Sequence, residues 1–200
     1  MEIEIKLGPA DPTLAAEIFD NIHLLPYAGG EEQISMRTVY YDDPDGSFSA
    51  RKQTLRLRQE NHRSVCTFKT ALKGLARVEL ECEAPDIATG AAALASLPAM
   101  PEDARKALLG GLFTPKCSAR FLRRTRLCRV EDTLFHLCLD QGVLEKGSLS
   151  VPMCELELEL VEGELSTLQA VAHRLMNHYN LPLCVKSKQQ RAMELGRIDL

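Results

Sequence analysis

The chain has 200 residues, of which 45% are hydrophobic, and this composition predicts one domain over residues 1–200 with a sizeable core. Its 24 basic and 28 acidic residues give a formal net charge of -4, so no overall basic field favours nucleic-acid binding. No apolar run approaches a membrane span and no signal peptide opens the chain, so we expect a cytoplasmic protein that binds neither nucleic acid nor membrane.

Charged and aliphatic residues alternate from Met1 to Leu7, which predicts a strand because successive side chains leave opposite faces. Its charged face carries Glu2, Glu4 and Lys6. A helix is predicted to follow at Asp11-Pro12, an N-cap residue with proline in the first turn. The helix has an apolar stripe formed by Leu14, Ile18 and Ile22.

The middle of the chain predicts several further strands of the same kind. A strand from Arg37 reaches the turn-rich segment 42–46, and Asn61-His62 is a plausible hairpin connection. The charged faces of the next three strands carry Arg56 and Arg58, then Lys69, then Arg77, Glu79 and Glu81. Residues 87–112 predict two short helices, because alanine and leucine dominate and Pro98 and Pro101 interrupt them.

Five arginines fall within Arg120 to Val130, and alternation allows two registers. We expect Arg124 and Arg126 to share the inward face, but a slip of one residue would turn Arg123 inward instead. A solvent-facing or nucleic-acid-binding patch is the alternative for this run. The next strand, 135–139, is expected to end at Asp140, with Gly142 making the turn.

The segment Glu155 to Leu160 alternates strictly and places three glutamates on one face of a strand. Like charges this close are destabilising unless positive charge lies among them. A helix is predicted near Ser166, with an apolar stripe of Leu168, Val171, Leu175 and Tyr179. Lys188 and Arg191 belong to a last short helix.

The charged faces, taken together, predict a curled sheet that turns them inward. A closed barrel has no free edges and can hold a ligand in its interior. A polyanion with a divalent cation would satisfy acidic and basic strands together, and hard carboxylate oxygens prefer Mg²⁺ or Mn²⁺. Seven cysteines lack a Cys-x-x-Cys pair and five histidines lack ligand spacing, so we expect reduced thiols and no zinc site.

The motifs carrying these charges resemble those of a CYTH domain of the triphosphate tunnel metalloenzyme superfamily. They are Glu2-x-Glu4-x-Lys6, Leu55-Arg56-Leu57-Arg58, Thr67-Phe68-Lys69, Arg77-x-Glu79, Leu139-Asp140-Gln141-Gly142, Glu155-x-Glu157-x-Glu159 and Ser187-Lys188-x-x-Arg191. Tyr40-Tyr41 with Pro44-Asp45, and Pro152 to Glu155, resemble bacterial inorganic triphosphatases in particular, many of which continue into a helical CHAD domain. This chain stops before such a domain, so it is expected to be a stand-alone enzyme or an excised N-terminal part.

The resemblance implies an α+β fold, a closed eight-stranded antiparallel β-barrel or tunnel with helices packed outside. The metal ligands it implies are Glu2, Glu4, Glu157 and Glu159, with Asp140 and Glu155 nearby. The substrate-binding residues would be Lys6, Arg56, Arg58, Lys69, Arg77, Arg124, Arg126, Lys188 and Arg191. Lys6, Lys69 and Glu79 are the catalytic candidates, and Glu79 would orient the attacking water unless it only pairs with Arg77.

We therefore expect Mg²⁺- or Mn²⁺-dependent hydrolysis of inorganic triphosphate to pyrophosphate and phosphate, with triphosphate or polyphosphate as the small-molecule partner. Phosphoryl transfer needs charge neutralisation and an in-line nucleophile more than a covalent partner. Thiamine triphosphatase and class IV adenylate cyclase activities on the same fold are the enzymatic alternatives. A non-catalytic polyphosphate-binding module is the alternative from another class of protein.

Overall fold

The computed structural model describes residues 3–8, 11–21, 25–71 and 77–196, without the side chains at 27, 71 and 77. Within these ranges the eight strands are β1 Glu4–Leu7, β2 Tyr27–Asp42, β3 Gln53–Glu60, β4 Arg63–Ala71, β5 Arg77–Glu83, β6 Thr114–Val130, β7 Thr133–Lys146 and β8 Leu149–Glu162. The six helices are α1 Pro12–Asp20, α2 Ser47–Ala50, α3 Ile87–Ser96, α4 Glu102–Leu109, α5 Leu165–Tyr179 and α6 Lys188–Glu194. None of these described helices is long and apolar enough to cross a membrane.

The eight strands form one antiparallel sheet in the order β1-β8-β7-β6-β2-β3-β4-β5. The sheet curls around α6, which packs on β6 and β7 and also reaches β3 through a 2.6 Å hydrogen bond between the side chains of Thr54 and Gln189. The predicted α+β class and eight antiparallel strands are confirmed. Closure into a barrel is not, because β1 and β5 are sheet edges with no pairing between them in the described residues.

The aliphatic faces of the strands form the convex side of the sheet and pack on helices. One core cluster lies where α1 and α5 cover β1, β7 and β8, and Leu156 and Leu158 of β8 are fully buried in it. A second cluster lies where α3 and α4 cover β3 to β5, around Leu55 and Phe68. The predicted N-cap of α1 is confirmed, because the Asp11 side chain accepts a hydrogen bond from the Thr13 backbone N–H at 2.8 Å. The predicted apolar stripes of α1 and α5 are also present, although Ile22 lies outside the described residues.

The expected end of the seventh strand is wrong, because β7 continues through Asp140 and Gly142 to Lys146. Gly142 makes no turn and lies opposite Phe121 of β6. A Cβ atom at this position would stand 2.0 Å from the backbone oxygen of Arg120 and 2.5 Å from the Cα of Phe121. The glycine therefore permits a close approach of two backbones inside the sheet.

Candidate active site

Helix α6 forms one wall of the site, and its ends are fixed by hydrogen bonds. At the N-terminus Ser187 and Gln190 form a reciprocal capping box. At its C-terminal end, Lys146 donates to the backbone oxygens of Met193 and Leu195 at 2.7 and 2.9 Å. Because the helix is only seven residues long, these anchors and its contacts with β6 and β7 determine its position.

Between α6 and the concave face of the sheet lies a cavity of ≈ 550 Å³. Acidic and basic side chains line it together with about as many neutral ones. The charged lining includes Glu4, Lys6, Arg56, Arg58, Lys69, Arg123, Glu157, Glu159 and Lys188, and the neutral lining includes Met36, Thr38, Tyr40, Thr54, Phe121 and Gln189. The cavity thus brings half of the predicted charged site residues to one place.

Three carboxylates near the cavity surface form what we call the shallow cluster: Glu4, Glu157 and Glu159. Their nearest oxygens all lie within 4.8 Å of one another, and the side chains of Glu4 and Glu159 are 19% and 23% exposed. Pairing places Glu4 directly opposite Glu159 across β1 and β8. Lys6 lies 2.8 Å from Glu4, and the Arg123 guanidinium lies 3.1 Å from Glu159.

Further inside, Asp140, Glu155 and Glu157 form what we call the deep cluster. All three are almost completely buried. Burial would raise the pKa of Glu157, but Lys188, Arg123 and Lys6 hold it well below its usual value. Burial outweighs the bases at Glu155, so the pKa of that carboxyl is raised.

Arginine and lysine side chains of β3 and β4 form the opposite wall of the cavity. Each is paired with a glutamate: Lys69 with Glu79 at 2.7 Å, Arg56 with Glu79 at 3.2 Å and Arg58 with Glu60 at 2.5 Å. Burial, followed by the neighbouring Arg56, lowers the pKa of Arg58. The guanidinium Nε atoms of both arginines are buried without a hydrogen-bond partner among the described residues, so this wall retains donor capacity.

The predicted inward placement of Arg124 and Arg126 is wrong, and Arg123 takes that face instead. Arg124 points to the convex side, where it binds Glu31 and Asp20 at 2.7 and 2.8 Å. Both Arg124 and Arg126 lie over the ring of Phe19 in α1, with guanidinium carbons 4.4 and 4.9 Å from its centroid. Arg123 holds Asp140 through two bonds of 2.7 and 2.8 Å and also contacts Glu157.

The other predicted residues form two groups. Glu79 is bound to Arg56 and Lys69 as described, and Arg191 is bound to Glu155 of the deep cluster. Glu2 and the side chain of Arg77 lie outside the described residues, so the alternative pairing of Glu79 with Arg77 stays untested. Sequence reasoning did not assign Tyr40 or Gln189 to the site, and nothing in their local pattern marks them as inward-facing.

The antiparallel sheet curls around a cavity with carboxylates on one side and the guanidinium groups of Arg56 and Arg58 on the other, and guanidinium groups are suited to phosphate and carboxylate oxygens. The CYTH domain family matches residues 1–193, and the chain belongs to this family. The predicted resemblance is therefore confirmed.

Individual relatives agree with this assignment. An inorganic triphosphatase of Haemophilus influenzae is 27% identical over 207 residues, which cover 98% of this chain and 55% of the relative, so the chain spans about half the length of that protein. Among solved structures, one similar chain is a candidate adenylyl cyclase of Hippeastrum that is described as having a dominant triphosphatase activity. It is 18% identical, and the two structures superpose with a TM-score of 0.63 over 99% of this chain and 97% of the other. A candidate adenylate cyclase of Bacillus halodurans is 18% identical with a TM-score of 0.61 over 96% of each chain. At this identity the solved structures establish the fold.

Proposed function

We propose that this chain hydrolyses inorganic triphosphate to pyrophosphate and phosphate with the help of a divalent cation. The observation that carries the proposal is the cavity, in which the shallow cluster faces the arginine and lysine wall across one enclosed space. A chain of phosphates would use both walls, because the bases would bind its oxygens and the carboxylates would hold a divalent cation that neutralises phosphate charge. The named activities of the Haemophilus influenzae and Hippeastrum relatives support this choice.

The residues present fit a hard divalent cation such as Mg²⁺ or Mn²⁺. Glu4, Glu157 and Glu159 each offer an oxygen at mutually compatible distances, while Glu4 and Glu159 remain open enough to admit water and phosphate ligands. When bound there, the cation would withdraw charge from phosphoryl oxygens and acidify a coordinated water. Glu2 stays a predicted further ligand.

The basic wall would bind the substrate. Arg56 and Arg58 are half-buried and offer bidentate grips on phosphate oxygens, and Lys69 acts as a point charge beside them. We assign Arg123 to the role first expected of Arg124 and Arg126, because it is the β6 arginine that lines the cavity. Lys6, next to Glu4, would neutralise charge where phosphate meets the metal site.

Glu79 suits a positioning role better than the catalytic one expected from sequence. Its two carboxylate oxygens hold Lys69 and Arg56, so it fixes two substrate-binding groups at once. The attacking water would then be oriented at the shallow cluster. A cytoplasmic location, a following CHAD domain and the binding role of Arg77 stay predictions.

The test is a side-by-side assay of inorganic triphosphate, thiamine triphosphate and ATP with Mg²⁺ and with Mn²⁺. We expect triphosphate to be cleaved with the highest kcat/KM and to give equal amounts of pyrophosphate and phosphate by ³¹P NMR. Addition of EDTA should stop the reaction. Cyclic AMP from ATP would contradict the hydrolase assignment, and tight polyphosphate binding without phosphate release would indicate a binding module.

A further inference from the structure

The ammonium group of Lys188 lies at the centre of the deep cluster. Its Nζ is 2.7 Å from an Asp140 oxygen and 2.9 Å from a Glu157 oxygen, and it also contacts Glu155. Lys188 is 8% exposed, Glu157 is 3% exposed, and Asp140 and Glu155 are both 0% exposed. Three buried carboxylates around one positive charge form the kind of oxygen cage that otherwise holds a metal ion.

The charges of this cage are already balanced. Arg123 binds Asp140 and Glu157, Arg191 binds Glu155, and Lys188 touches all three acids, so three cationic side chains face three carboxylates. A divalent cation entering the cage would have to displace one of these groups into a buried environment without its partner. Such an unpaired buried charge is strongly unfavourable.

Lys188 is also held in place by the backbone that carries it. It is the first residue of α6, directly after the N-cap Ser187, and the helix is anchored by its capping box and by Lys146 at the other end. The neighbouring Gln189 is bound to Thr54 of β3. The backbone of Lys188 is therefore fixed beside the cage, within reach of its three carboxylates.

The shallow cluster differs in its exposure. Lys6 contacts Glu4 and Glu157, Arg123 contacts Glu157 and Glu159, and Lys188 contacts Glu157, but the side chains of Glu4 and Glu159 are partly open to the cavity. Of the two acidic clusters in the described residues, the shallow one is thus the more accessible to a cation from the cavity.

We propose that Lys188 is a built-in cation that takes the place of a second metal, so that the cavity binds one divalent cation, at the shallow cluster. Lys188 is then a positioning residue that fixes Glu157, the acid shared by both clusters, and does not grip phosphate as the sequence motif implies. The inference rests on the metal site of the proposed function and is independent of which phosphate compound is cleaved.

The test is the number of Mn²⁺ ions bound per chain, measured by calorimetry and by the loss of the free-ion EPR signal. The wild-type protein should bind one ion, Glu4→Gln should bind none, and Asp140→Asn should still bind one. Lys188→Met should open the deep cluster and bind two. Lys186→Met is the matched control, since Lys186 lies two residues away on the exposed side with Glu194 as its partner, and it should bind one.

Because Lys188→Met leaves buried acids under-compensated, a second variant adds Glu155→Gln. This double variant restores the charge balance and should bind one ion. Two ions or none in the wild type, loss of the ion in Asp140→Asn, or one ion in folded Lys188→Met would overturn the proposal. Phosphate release is assayed separately: one bound ion without triphosphate cleavage would contradict the proposed function and leave this inference standing.

Discussion

Arg123 and Arg124 are neighbours in β6, yet they lie in opposite environments. Arg123 enters the cavity and binds Asp140, Glu157 and Glu159, whereas Arg124 binds Asp20 and Glu31 on the convex side. Arg124 links α1 to β2 of the sheet, whereas Arg123 belongs to a charged cavity in which a ligand could replace its present partners. The comparison teaches that the facing element, and not the charge itself, decides what an arginine does in this fold.

The sharpest way to test the concave side is to remove the metal ligands. Glu4→Gln and Glu159→Gln should each lower Mg²⁺-dependent kcat/KM for triphosphate by at least about 100-fold, because even outer partners of metal ligands are typically worth roughly 10–100-fold. Glu162→Gln is the control, since Glu162 is exposed near the end of the same strand as Glu159 and should change little. A wild-type rate in Glu4→Gln at saturating metal would show that the ligand assignment is wrong.

The basic wall should give the next largest effect. Arg56→Ala and Arg58→Ala remove charge-assisted hydrogen bonds worth roughly 1.5–3 kcal/mol each, so kcat/KM should fall at least about tenfold with the fold retained. Steady-state kinetics and circular dichroism check this together. Arg129, exposed at the end of β6, is the control, because contacts at exposed sites are worth about 0–1 kcal/mol. Equal, small effects at all three positions would argue against a binding cavity.

Sequence alternation predicted the inward faces well where one face was purely aliphatic. In β8 the leucines must be buried, so Glu155, Glu157 and Glu159 have only one side to occupy. The arginine run of β6 gave no such constraint, because arginines stand on both faces and Arg126 is 1% exposed on the convex one. The partners of Arg124, Asp20 and Glu31, are 104 and 93 residues away in sequence, so only the tertiary structure identifies the register.

Strand lengths were harder to predict than faces. Residues 27–36 of β2 include two glycines and three polar residues in succession and lack alternation, yet they form a long ladder with β6. Pairing with a long neighbour supplies the hydrogen bonds that local propensity does not predict. Glycine is typical of turns, so the local pattern predicts a turn at Gly142, although what this glycine provides is space between two strands.

The convex arginines should affect stability and not activity. Arg126→Ala removes a buried side chain that lies over Phe19 and donates to the Leu25 carbonyl at 3.3 Å. We expect the free energy of unfolding to fall by about 1–3 kcal/mol while kcat/KM stays within about twofold. Urea titration and steady-state kinetics on the same samples test this separation. Loss of activity in folded Arg126→Ala would contradict the assignment of a purely stabilising role to the convex arginines.

Low pH should weaken the ion pairs of Glu157 on the concave face of the sheet, with a smaller effect on stability than the substitution of Arg126. The pKa of Glu157 is depressed because Lys188, Arg123 and Lys6 outweigh its burial. Such a carboxyl contributes stability that is present above its unfolded pKa, near 4.5, and is lost as pH falls through its folded value. The melting temperature should therefore drop below pH 4.5, and Glu157→Gln should flatten this acid limb. If the melting temperature of Glu157→Gln falls with acid as steeply as that of the wild type, groups other than Glu157 cause the fall.

The comparison of the two β6 arginines is tested most directly by triphosphate binding in the absence of metal, where no turnover occurs. Calorimetry with EDTA present would compare Arg123→Met with Arg124→Met, two variants one residue apart on the same strand. The cavity account predicts that Arg123→Met weakens binding at least about tenfold, while Arg124→Met stays within about twofold of the wild type. Equal losses in both variants, or a larger loss in Arg124→Met, would contradict it.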